Sequence, residues 1–166
     1  MTSSLVPDKS LIELGAGAQL ALFGFRACAF GHTKCCCLLN MFKDVFGDKT
    51  GGRVLGQFMG LAEYLGQKGQ RRLDLSVPNA TVFTYDEASI LSALSSFQHG
   101  EFVQARAHLT WLLARSPRTE EINVVSDLVM YFSARDLIIR TPEYQPVSEQ
   151  SEYPADRPNL ELVQSV

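Results

Sequence analysis

TYDEASILSALSSFQHGEFVQARAHLTWLLARSP, residues 84–117, contains the full set of signals for a helical hairpin. Thr84-Tyr85-Asp86-Glu87 is a capping box: the Thr84 hydroxyl can accept from the Glu87 amide while the Glu87 carboxylate reaches back to the cap amide. Ile90, Leu91, Leu94 and Phe97 then recur at helical spacing until His99-Gly100 stops the run. A second helix is predicted from Glu101 to Arg115, with Phe102, Ala105, Leu109, Leu112 and Leu113 turned inward and Pro117 ending it.

The same grammar extends in both directions. Downstream, Thr119 is placed to cap a helix whose buried stripe is Ile122, Val125, Leu128, Val129 and Phe132, with Glu120 and Glu121 near its positive end. Upstream, a first helix starts at Asp8 or Ser10 and ends near Gly31; it is apolar almost all round, so it belongs at the centre of a bundle. Gly15, Gly17 and Gly24 within it imply close helix packing. A second, amphipathic helix runs from Thr33 to Phe46 and closes at Gly47, and residues 48–52 (DKTGG) read as a turn. Val54, Leu55, Phe58, Leu61, Ala62 and Leu65 form a third helix, stopped by Gly66 and Gly69. Leu73, Leu75 and Val77 alternate with polar residues, and Thr81-Val82-Phe83 follows Pro78-Asn79, which predicts two short strands at about 72–84. The expected fold is mainly α: a six-helix orthogonal or antiparallel bundle with a short two-stranded β insertion and an extended C-terminal tail.

The chain has 166 residues, 46% of them apolar, and a net charge of −3. That supports a real core and excludes a disordered or collagen-like chain, and the sequence pI near 5.6 argues against a nucleic-acid binder. The charge is unevenly placed. Residues 141–166 hold five acidic groups and one arginine, a net of −4 that leaves residues 1–140 at +1. With four prolines and no hydrophobic period, 141–166 is read as an acidic tail or a strap across another subunit, its apolar end at Leu160, Leu162 and Val163 favouring the strap. Residues 1–140 are then the helical domain. The N-terminus lacks a secretory signal pattern, so the expected location is cytoplasmic. The uncharged stretch from Leu14 to Phe25 is 12 residues, short of the ~20 that a membrane span needs, leaving a peripheral contact through the first helix as a minor option.

Several constellations invite a chemical reading. Cys28, His32 and Cys35 lie at offsets of four and three, with Cys36 and Cys37 adjacent, but zinc sites usually draw two separated ligand pairs and Gly31 is placed to break the helix inside the cluster. These residues make a metal- or redox-responsive protein the alternative reading. His99 and His108 stand on the other hairpin, remote in sequence from any cysteine. Asp86 and Glu87 form a carboxylate pair, yet adjacent helical residues do not converge on one site and Glu87 is accounted for by capping. Lys68, Arg71 and Arg72 are the densest basic patch, suited to an acidic segment, and Trp111 stands one position off the inward stripe as a core edge or an interface anchor.

Gly100-Glu101-Phe102-Val103-Gln104-Ala105, followed by Leu109, Leu112 and Pro117, resembles the second half of a tetratricopeptide repeat. No copy follows, so a plain helical hairpin is expected. Leu22-Phe23-Gly24-Phe25-Arg26-Ala27, Gly69-Gln70-Arg71-Arg72 with Leu73 and Pro78, Asp86-Glu87 with Ile90 and Leu91, and Phe97-Gln98-His99-Gly100 together look like a small helical family of alphaproteobacterial proteins without an assigned activity, over about residues 20–115. Members tend to carry a cysteine just after the turn proline, where this chain has Asn79 and Ala80. The resemblance implies a bacterial cytoplasmic protein and no reaction. The expected function is non-catalytic and without a cofactor: an accessory or assembly protein that binds another protein, or a second copy of itself, through exposed helix faces and the tail. Trp111, Lys68, Arg71, Arg72, Leu160 and Leu162 are the candidate partner-binding residues.

Overall fold

The computed structural model describes residues 10–142. Ser10 opens the described chain, its hydroxyl accepting from the Ile12 amide at 3.3 Å to start a 3-10 turn over Leu11–Leu14. Gly15 then redirects the chain into α1 (Gly15–Ala29). A second 3-10 turn (His32–Lys34) leads into α2 (Cys36–Phe46), and α3 (Asp48–Gln67), α4 (Tyr85–Gln98), α5 (Phe102–Leu113) and α6 (Thr119–Ser133) complete the described helices. The principal helix contacts pair α2 with α3, α4 with α5, and α6 with both α3 and α4, while α1 packs on α3 and α4. As its composition requires, α1 buries Ala18, Ala21, Leu22 and Phe25 completely or nearly so. With the preceding 3-10 turn it spans 19 residues, long and apolar enough to cross a membrane by length and composition, but more than half of that stretch is buried against the rest of the protein.

Four expectations are corrected. First, residues 48–52 are not a turn. Gly47, at φ +93, makes the whole reversal, and α3 begins at once with Asp48 favourably placed at its positive end. Second, there is no β insertion: no strand occurs among the described residues, and 71–84 crosses the bundle as an irregular segment. The alternation is that of an extended chain, with Leu73 and Leu75 packed against the core, but side chains of α1 and α4 replace a partner strand as its hydrogen-bond partners. Third, Thr119 is the first residue of α6, not its cap; Arg118 caps, and its amide donates to the Glu121 carboxylate at 2.7 Å. Fourth, α5 ends before Pro117, at Leu113, where Ala114 takes the left-handed conformation. The expected tail from residue 141 lies, beyond Pro142, outside the described residues. Just before it, Leu137–Ile139 return across the bundle, with Ile139 buried and bonded through its amide to the Gln98 side chain at 2.8 Å.

Glycines set the closest crossings. A Cβ on Gly24 would lie 2.7 Å from the Phe42 ring and 2.9 Å from the Phe58 ring, and one on Gly17 would lie 2.2 Å from the Ile138 carbonyl oxygen. At Gly51 it would meet the Lys43 backbone at 2.6 Å, so α2 and α3 touch main chain to main chain there. Gly51→Ala is expected to destabilise the fold by about 1–3 kcal/mol, because backbone cannot swing aside as a side chain can. Gly56→Ala, in the same helix with open space around it, should stabilise by about 0.5–1 kcal/mol through helix propensity. Thermal unfolding of the two variants checks the opposite signs.

Candidate functional site

Segment 71–84 is clasped by charged side chains from two helices. Asp86 and Glu87 stand in the first turn of α4, where the helix terminus favours carboxylates. Glu87 accepts from the Ser76 amide at 3.0 Å and the Thr84 amide at 2.8 Å, while the Thr84 hydroxyl accepts from the Glu87 amide and donates to the Asp74 carbonyl. The capping box read in the sequence is therefore complete. Asp86 accepts from the Asp74 amide at 2.9 Å and from Arg71 at 2.6 Å. Arg26 reaches over from α1: Nε and Nη2 donate to the two Glu87 oxygens at 2.6 and 2.9 Å, and Nη1 and Nη2 donate to the carbonyls of Ala80 and Val82 at 2.8 Å each. The Arg26 and Glu87 side chains are fully buried. As expected of adjacent helical residues, Asp86 and Glu87 share no partner, although the same segment wraps over both.

On the outer side of this clasp, residues 78–81 form one wall of an apolar groove of about 480 Å³. Leu11, Ile12, Ala16, Leu20 and Phe23 form another wall, and Met41, Val45 and Leu137 close it. Its polar side chains, Gln19, Asn79 and Thr81, carry no charge. A second cavity of about 450 Å³ shares Phe23, Met41, Pro78 and Asn79 with the first and adds Ala27, His32, Cys35, Cys37 and Leu38. The two therefore lie side by side along α1 and α2, with part of their walls in common.

The cysteines do not gather around one point. α1 stops at Ala29 and Gly31 turns left-handed, so the single helix face that would align Cys28, His32 and Cys35 is not formed. Cys28 is half-buried with its sulfur 4.0 Å from the Leu55 carbonyl, and burial pushes its thiol up to about 11. Cys35, Cys36 and Cys37 are exposed at the start of α2. Among the described residues no three His, Cys, Asp or Glu side chains come close enough to hold a metal ion.

The basic patch and Trp111 do come together. The Arg71 guanidinium lies 4.9 Å from the centre of the Trp111 ring, which remains 62% exposed. Arg71 is also tied to Asp86, and Lys68 stands 3.8 Å from Glu63 and 4.7 Å over the Tyr64 ring, so these two cations are engaged within the chain. Arg72 is exposed. Leu160 and Leu162 lie outside the described residues.

Three features escaped the sequence reading. Arg26 is the centre of the clasp, signalled only as a lone cation in an apolar helix. Arg115 binds Glu121 and the Lys68 carbonyl; although burial opposes it, the Arg115 guanidinium and the Arg118 amide hold the Glu121 carboxyl below its ordinary value. His99 and His108 share a polar cavity of about 460 Å³ with Ser95 and Glu101, and desolvation there lowers His108. This is not a serine–histidine dyad. His99 Nδ1 lies 2.8 Å from the Ser95 carbonyl, which can only accept, so that nitrogen bears a proton and cannot take one from the Ser95 hydroxyl 3.5 Å away. Comparison of the chain with protein-family models, curated proteins and solved structures found no match.

Proposed function

We propose that this is a cytoplasmic, non-catalytic accessory protein that binds an amphipathic helix of another protein in the groove between α1, α2 and residues 78–81. The apolar groove, lined by no charged side chain, is the observation that carries this reading. Helix-in-groove recognition uses apolar anchors three and four residues apart, and the groove offers mostly apolar walls with Gln19, Asn79 and Thr81 as its polar side chains. The engagement of the buried charges by the chain's own backbone supports a non-catalytic role: Arg26, Asp86 and Glu87 hold segment 71–84 in place rather than facing a cavity. The acidic tail belongs to the proposal as a second contact.

Ile12, 63% exposed, and Ala16 are the positions to test, because a charge there enters the groove without touching the core. Partners are first identified by a photo-crosslinking residue at position 16 in the host. Ile12→Glu/Ala16→Glu should then weaken binding of that partner at least about tenfold while leaving the unfolding midpoint unchanged, as expected for loss of an interface anchor. A chain ending at Pro142 measures the tail's share. Equal capture of the same proteins from Val103, on the exposed side of α5, or unchanged affinity in the double variant would overturn the proposal.

A further inference from the structure

α5 is apolar on two sides. Its inner side, Ala105, Leu109, Leu112 and Leu113, is buried, and its principal helix contact is with α4. The opposite side carries Val103, Ala107, Thr110 and Trp111, all exposed, Val103 at 87% and Trp111 at 62%. Val103, Ala107 and Trp111 follow one another at four-residue spacing, so they form one stripe down the outward face. No charged side chain interrupts it. Arg106, the one formal charge between Phe102 and Leu113, stands about a quarter-turn away, and the Thr110 hydroxyl donates to the Arg106 carbonyl at 2.8 Å. A helix apolar on both sides calls for cover on both.

We infer that this face binds a second copy of the chain, α5 against α5, antiparallel about a two-fold axis at Ala107. Two properties of the face single out a second copy. The first is the order of sizes: the small residue is central, with Val103 one turn before it and Trp111 one turn after. On a two-fold axis Ala107 meets Ala107, which lets the helices approach to the roughly 8 Å of the closest helix pairs, and Val103 of each copy packs against the partner's Trp111. A parallel pair would set indole on indole and wedge the helices apart at one end. The second property is charge. Glu101, at the N-terminal end of α5, is exposed and in no ion pair among the described residues. Beside the C-terminal end lie Arg71, stacked on Trp111 and sharing its charge with Asp86, and Arg72, exposed and likewise unpaired among the described residues. Antiparallel docking brings the acidic end of each copy to the basic end of the other. Trp111 is the anchor, a side chain of the kind that dominates interfaces. A face about 18 Å long falls short of a standard interface, so the dimer is reversible, with a Kd of about 10–100 µM. No α5 residue lines the groove along α1 and α2 or the cavity beside it, so the inference does not rest on the docking reading.

Sedimentation equilibrium of the full chain from about 1 µM to 1 mM should show a monomer passing into a dimer. Ala107→Glu sets two carboxylates on the axis and should weaken the dimer at least about tenfold, while Glu101→Lys should weaken it about threefold, and only at low salt. Position 107 is exposed and Glu is a good helix former, so the circular dichroism spectrum should not change. Cysteine substitution reads the register. In a chain whose exposed Cys35, Cys36 and Cys37 are replaced by serine, Ala107→Cys should oxidise to a disulfide-linked dimer. Val103→Cys should not, because the two substituted positions stand about 12 Å apart along the antiparallel pair. A monomer throughout the concentration range, a dimer indifferent to Ala107→Glu, or equal linking through position 103 would overturn the inference.

Discussion

Replacing Glu87 with alanine is expected to lower the free energy of unfolding by about 3–5 kcal/mol, the range for removing one partner of a buried ion pair. The effect is large because the carboxylate has several duties. It neutralises a guanidinium with no access to water, and it accepts from the amides of Ser76 and Thr84. Without it, Arg26 retains only the Ala80 and Val82 carbonyls, which are dipoles and not charges. Against a typical total of roughly 5–15 kcal/mol, such a loss leaves the domain marginal. Thr84→Ala, which removes the cap hydroxyl but leaves the ion pair, should cost about 1 kcal/mol. Urea unfolding followed by circular dichroism separates the two, and limited proteolysis of Glu87→Ala should cut first within 76–83. A loss below about 1 kcal/mol for Glu87→Ala would mean that the segment is held by its apolar contacts alone.

That clasp also marks the boundary of what the sequence discloses. The capping box at Thr84 and Glu87 is legible because its parts lie within four residues and its physics is local. The second duty of Glu87 depends on Arg26, sixty-one residues earlier, and no local pattern announces it. The misread β insertion has the same origin. Alternation at 73–77 reports an extended chain with one face inward, and it says nothing about whether the amides meet a strand or a carboxylate. At Asp48 the error ran the other way: Gly51-Gly52 has turn composition, but Gly51 lies inside a helix because the α2 backbone passes too close for any side chain.

The groove was legible only in part. An α1 that is apolar all round demands cover on every side, and the bundle covers the face carrying Ala18, Ala21, Leu22 and Phe25. Which face is left open is decided by where α2 and the 78–81 wall arrive, a tertiary outcome. Arg26 therefore links stability and the proposed binding: by holding the Ala80 and Val82 carbonyls it fixes a wall of the groove.

Phe58→Ala is the second substitution expected to cost about 3–5 kcal/mol, here through a cavity and not through charge. Phe58 is fully buried where α1, α2, α3 and α6 meet, with ring centres 5.8 Å from Phe42 and 6.1 Å from Phe132 in edge-on geometry. Phe46 completes the cluster, 5.9 Å from Phe42 and 5.2 Å from Phe132. Each edge-on pair adds about 0.5–1.5 kcal/mol beyond area burial, so truncating Phe58 removes two such terms and leaves a void that four helices cannot close. Gly24 supplies the decisive control. Gly24→Ala alone should destabilise by about 1–3 kcal/mol, since its methyl would press on both the Phe42 and Phe58 rings. In the Phe58→Ala background one of those obstacles is gone and the methyl occupies part of the void, so the double variant should be more stable than the summed single effects predict. The rescue should remain incomplete, because the Phe42 ring still stands 2.7 Å from the new carbon. A coupling of at least about 0.5 kcal/mol in that direction, read from urea unfolding of all four proteins, identifies Gly24 and Phe58 as sharing one site. Additivity within that margin would instead mean that α1 shifts bodily when the methyl is introduced.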